Sequence, residues 1–132
     1  MKSFMPGFAS EKELRAFQLD GLKCTLKHAY QGSAFYRRRM TAAGVRPEDI
    51  GSLDDLSRLP FSTAEDLREE YPFPFLSVPL EEVIRVHASS GTTGKRKVLC
   101  YTAKDISDWA DMFARCYEMA GLTREDRVQV AV

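Results

Sequence analysis

An α/β fold is predicted, with helices first and strands after them. Ser or Thr followed three residues later by Glu or Asp recurs as a helix-start signal up to Tyr71. A β-branched run begins at Val83, and a Gly- and Thr-rich loop separates it from a second such run. The 132 residues, 44% hydrophobic and 29% charged, suit one small folded domain rather than a disordered chain.

Ser10 with Glu13 starts the first helix, because each side chain can accept an amide hydrogen that the first turn leaves unpaired. Leu14, Phe17, Leu19, Leu22, Leu26, Ala29 and Tyr30 recur at helical spacing and give it one apolar face. Gln31-Gly32-Ser33 closes it. Ser33 caps a shorter helix carrying Tyr36 and Met40 one turn apart, and Gly44 suits the left-handed position that ends it. Ser52 with Asp55 and Ser62 with Glu65 predict two more short helices, separated by Leu59-Pro60-Phe61 and ended by Tyr71-Pro72. Pro72, Pro74 and Pro79 then favour extended chain, and a boundary near residue 80 divides a helical region, 1–79, from a second region, 80–132.

In the second region Val83, Ile84, Val86 and Ala88 predict a mostly buried strand, and Val98, Leu99, Cys100 and Tyr101 another, so the two form a hairpin with an enlarged turn. Thr102 with Asp105 caps a helix whose Ile106, Trp109, Phe113, Cys116 and Met119 or Ala120 form a stripe read as core, ended by Gly121. Alternation of Val128, Val130 and Val132 with Gln129 and Ala131 predicts a strand from Arg127 onward. A chain ending within a strand is expected to be a truncated piece of a larger fold.

Several functions are disfavoured at this level. Nineteen basic residues balance nineteen acidic ones, so no overall field draws the chain to nucleic acid or an anionic membrane. No stretch has the length and apolarity of a membrane span or a secretory leader, which places the chain in the cytoplasm. Cys24, Cys100 and Cys116 are odd in number and widely spaced, and His28 and His87 stand alone, so neither disulfides nor a His/Cys metal site is signalled. Arg37, Arg38 and Arg39 point in different directions around a helix and read as a solvated face rather than a phosphate clamp.

Ser89-Ser90-Gly91-Thr92-Thr93-Gly94-Lys95 lies between the strand-like runs with no large apolar side chain in it. Gly91 and Gly94 permit close backbone approach and inward-turned amides. Ser89, Ser90, Thr92 and Thr93 add hydroxyls, and Lys95 adds a charge, a combination suited to a polyphosphate. A Walker A loop needs four residues between its glycines, Ser or Thr after its lysine, and a following helix. Here two residues separate the glycines, Arg96 follows Lys95, and a strand comes next. The plainer alternative is a polar hairpin turn.

The loop resembles the signature of the adenylate-forming superfamily. Leu59-Pro60-Phe61-Ser62, Asp66-Leu67-Arg68, Tyr71-Pro72-Phe73 and Arg85-Val86-His87-Ala88 are similar to the phenylacetate-CoA ligase branch in particular. So are Ser33-Ala34-Phe35-Tyr36-Arg37, Ala42-Ala43-Gly44-Val45 with Pro47, and the Trp109 helix, and the likeness runs from about Leu14 to Val132. The resemblance implies that residues 80–132 begin an adenylate-forming N-terminal domain. It also implies a two-step reaction: an aromatic acid attacks the α-phosphate of ATP, pyrophosphate leaves, and CoA displaces AMP as the thioester, with Mg2+ assisting. Ser89 to Lys95 would then hold the ATP phosphates. The family usually has Pro after the loop lysine, where this chain has Arg96 and Lys97.

Family members run to several hundred residues, so the resemblance puts the acyl pocket, adenine contacts, magnesium carboxylate and catalytic lysine beyond Val132. An N-terminal fragment without catalytic residues of its own is therefore expected, inactive alone. A non-catalytic module that binds a partner or itself through its helices is the alternative, and a homo-oligomer is expected. His87, two residues before the loop, is expected to pack or hydrogen-bond rather than touch substrate.

Overall fold

A computed structural model describes residues 7–90 and 96–129. Helix α1 is Glu11–Gly32 and α2 is Ala34–Ala42; 3-10 turns follow at Pro47–Asp49 and Leu53–Arg58; then come α3, Asp66–Glu69, and a 3-10 turn, Leu80–Glu82. Strands β1, Val83–Ala88, and β2, Val98–Thr102, form an antiparallel pair, and α4, Ala103–Met119, follows directly.

Side-chain caps set most of these starts. The Ser10 hydroxyl accepts from Glu13 N–H at 3.2 Å, while the Glu13 carboxylate reaches Ala9 N–H rather than that of Ser10. Ser33 ends α1 and starts α2, and Gly44 and Gly121 take φ of +66° and +82°, as expected of left-handed helix ends. Ser52 and Asp55 pair as predicted, but the turn they start is 3-10. The Ser62/Glu65 expectation is corrected by one residue. Thr63 N–H and Oγ1 both donate to the Asp66 carboxylate, at 2.7 and 2.9 Å, and Glu65 instead pairs with Arg68. Both patterns are present at 62–66, and the shorter Asp side chain closes the tighter ring. Thr123 and Asp126 form another such box, from the same Thr-x-x-Asp spacing.

The core lies in the helical region. Met40, Val45 and Ile50 are buried, and Leu19, Leu22, Leu26 and Tyr30 of the α1 face pack on them with Leu59. Each fully buried side chain of this kind stabilises by about 1.5–3 kcal/mol. Phe35 is buried beside Tyr36 and Phe75, with ring centroids 5.3 and 4.7 Å away. Arg38 and Arg39 do more than form a solvated face. Arg38 pairs with Glu70, Arg39 donates to Phe61 O at 2.8 Å, and both guanidinium groups lie within 6 Å of the Phe35 ring centroid. They tie α2 to the chain at 61–70.

Three further expectations are corrected. β1 is mostly exposed, with Ile84 at 62% and Val86 at 50%, and no residue of α4 is buried, Trp109 being 37% exposed. A two-stranded sheet has too few neighbours to cover its faces. Residues 127–129 belong to no strand, and 130–132 lie outside the described residues.

Candidate functional site

The strands leading into the predicted phosphate loop are in register, with Val86 opposite Cys100, His87 opposite Leu99, and Ala88 opposite Val98. Ser89 and Ser90 leave the end of β1, and Arg96 and Lys97 return the chain to β2. Gly91, Thr92, Thr93, Gly94 and Lys95 lie outside the described residues. At the mouth, Ser89 N–H donates to Lys97 O at 3.0 Å, and Lys97 N–H donates to Ser89 Oγ, also at 3.0 Å. Ser89 and Lys97 are half-buried, whereas Ser90 and Arg96 are exposed.

An aromatic layer supports this mouth. The His87 ring lies 5.0 Å from Tyr101 and 5.5 Å from Trp109, and Tyr101 stacks on Trp109 at 5.5 Å with 17° between planes. His87 thus has the packing role expected of it. Phe113, 5.7 Å beyond Trp109, extends the row along α4. Such ring pairs add about 0.5–1.5 kcal/mol each beyond their area.

Helix α4 is fixed to β2 without an intervening loop. Thr102, the last residue of β2, and Asp105 cap each other: Thr102 N–H donates to the Asp105 carboxylate at 2.8 Å, and Asp105 N–H to Thr102 Oγ1 at 3.2 Å. The Thr102 amide chiefly, then its hydroxyl, with Lys104 and His28 nearby, hold the Asp105 carboxyl below its ordinary range.

On the other side of the hairpin, a cavity of about 210 Å3 separates the strands from segment 73–78 and α1. Val83, Val98, Cys100, Phe73, Phe75 and His28 are among its lining residues. Burial pushes the Cys100 thiol up from its ordinary value. Among the described residues, no group of three or more His, Cys, Asp or Glu side chains could hold a metal ion, and no helix is long and apolar enough to cross a membrane.

No family model matches the chain. Over 123 residues, 93% of its length, it is 50% identical to the phenylacetate-coenzyme A ligases of Escherichia coli (strain K12) and Aromatoleum evansii. The chain is a homologue of the phenylacetate-CoA ligases. It spans about 28% of the length of these relatives. Among solved structures it is similar to 2-hydroxyisobutyryl-CoA ligase in complex with 2-HIB-AMP and CoA in the thioesterification state. That likeness has a TM-score of 0.74 and 32% identity, covering 81% of this chain and 24% of that one. The same ligase in the postadenylation state with 2-HIB-AMP gives a TM-score of 0.80 at 26% identity, over 96% of this chain and 30% of that one. The fold described above is therefore that of a part of the adenylate-forming CoA ligases, which agrees with the α/β class predicted.

Proposed function

We propose that this chain supplies the ATP-phosphate loop of a ligase that activates an aromatic acid, through an acyl-adenylate, to its CoA thioester. The observation that carries the reading is a Gly- and Thr-rich loop set between two antiparallel strands, in a chain half identical to phenylacetate-CoA ligases. ATP, the acid and CoA are the substrates of this reading. Ser90, Thr92 and Thr93 offer hydroxyl donors, Gly91 and Gly94 let the backbone approach, and Lys95 supplies the charge, so that pyrophosphate is held as it departs. Mg2+ would accompany ATP in this reading, held by groups outside the described residues, among which no cluster of three or more His, Cys, Asp or Glu could hold a metal ion.

On this reading the chain alone does not turn over, its boundary lies near residue 80, and its compartment is the cytoplasm. The test is a chimera in which this chain replaces the matching 123 residues of the Escherichia coli ligase. Phenylacetate-dependent ATP–pyrophosphate exchange should persist, and Thr93→Ala with Lys95→Ala should lower it roughly a hundredfold or more with folding intact. Undiminished exchange in the double variant refutes the assignment.

A second reading has its own support. Trp109, Met112, Phe113 and Tyr117 are exposed on α4, an apolar surface suited to self-association or to a partner protein. Light scattering that finds monomers alone counts against the self-association form.

A further inference from the structure

The helical region and the hairpin meet around a space rather than along a packed seam. Val98, Cys100 and Thr102 alternate along β2 and share one face, while Tyr101 between them turns to Trp109 on the other. That first face, with Val83 of β1, makes one wall of the cavity of about 210 Å3, and Phe73 and Phe75 make the wall facing it. The second wall is anchored in the helical region. Ser33 donates its hydroxyl to Pro74 O at 3.2 Å, and the Phe75 ring lies 4.7 Å from that of the buried Phe35. Each wall is thus held by contacts on its far side, so the space between them persists.

We propose that this cavity is a binding site for a small neutral molecule carrying one aromatic ring. Size sets the first limit. An apolar cavity of about 150 Å3 takes up benzene, so one of about 210 Å3 has room for a ring with a short substituent. Lining sets the second, because Val83, Val98 and Cys100 give apolar surface, and Phe73 and Phe75 suit offset or edge-on contact with a further ring. Burial keeps Cys100 a neutral thiol. Charge sets the third limit. Asp105 of α4 is on the lining, its carboxyl held below its ordinary range chiefly by the Thr102 amide, and no Lys or Arg is among the described residues that line the cavity. The positive charge that His28 can carry there is already offset by Asp105. A carboxylate ligand would bring its charge beside that of Asp105, so the cavity selects a neutral ring and differs in kind from a site for the acid that the proposed ligase activates. The occupant makes the dispersion contacts that walls facing an empty space lack, and it bridges the hairpin to the segment carried by α1 and α2.

Thiol labelling of the intact 132-residue chain, with toluene as the probe, tests the site. Cys100 lines the cavity, whereas Cys24 and Cys116 are exposed and are not among its lining residues. Near saturation, toluene should slow the reaction of Cys100 with a disulfide reagent roughly fivefold or more and leave Cys24 and Cys116 as they were. Phenylacetate at the same concentration and neutral pH should give Cys100 no protection. Val83→Phe fills the space and should abolish protection by toluene with the circular dichroism unchanged, and Val83→Leu is the milder substitution should the ring unsettle β1. Unchanged Cys100 reactivity in saturating toluene overturns the site. Equal slowing of all three thiols, or protection in the folded Val83 variant equal to that in wild type, overturns it too, because the probe then acts elsewhere. Phenylacetate that protects as well as toluene overturns the selection of a neutral ring. These outcomes are independent of the phosphate-loop reading, since every residue they involve lies outside Ser89 to Lys95.

Discussion

A Cβ added to Gly32 would sit 1.9 Å from the carbonyl oxygen of Ser77, so the end of α1 and segment 73–78 meet backbone to backbone. Beside this contact the fully buried Ser33 donates its hydroxyl to Pro74 O at 3.2 Å. Gly32→Ala must push the segment away and should cost about 1–3 kcal/mol. Gly21, inside the same helix with nothing within 4 Å of its added Cβ, is the control. Gly21→Ala should stabilise by about 0.5–1 kcal/mol, because the unfolded chain loses freedom and no neighbour is displaced. Urea unfolding of both variants should show midpoints moving in opposite directions.

Asp55 carries the largest acid sensitivity. Ser52 N–H, then Gly51 N–H and the Arg58 side chain, lower its carboxyl from 3.8 to about 2. Since the folded value is the lower one, the contribution is complete above about pH 3.8 and is lost as pH falls towards about 2. Asp66, Asp105 and Asp126 are lowered in the same way by the amides of Thr63, Thr102 and Thr123. Acid titration followed by far-UV circular dichroism should show helix lost in this window, less steeply in Asp55→Asn.

Trp109 is the sole tryptophan, so its fluorescence reports the docking of α4 on the hairpin. Tyr101→Ala removes the ring stacked on it and should shift its emission to the red. Trp109→Ala should cost about 1–2 kcal/mol, below the about 3–5 kcal/mol of a fully buried aromatic, because more than a third of its surface is already wet.

Thiol labelling should separate the cysteines. Cys24 and Cys116 are exposed, whereas Cys100 is half-buried with its thiol pushed up by burial. The thiolate is the reactive form, so a disulfide reagent at neutral pH should modify two sites quickly and Cys100 slowly. Equal rates at all three would contradict the burial of β2.

Local chemistry was legible without coordinates. Ser10, Ser33 and Thr102 start their helices because each offers an oxygen to an orphan amide three residues on, Ser52 starts its turn by donating to the Asp55 carboxylate, and Gly44 and Gly121 end helices because they lack a Cβ. The leucine stripe of α1 and the hairpin pairing follow likewise from spacing along the chain, and the loop motif pointed to the ligase family that the 50% identity supports. What depends on distant contacts was not legible. Pattern marks which residues are apolar but not how many neighbours will cover them, so β1 and the α4 stripe, apolar enough for a core, are largely exposed. The meeting of Gly32 with Ser77, the grip of Arg39 on Phe61 O, and the capture of Lys97 N–H by the Ser89 hydroxyl join residues 45, 22 and 8 positions apart. Such contacts are fixed by how the elements pack together, and no local propensity encodes them.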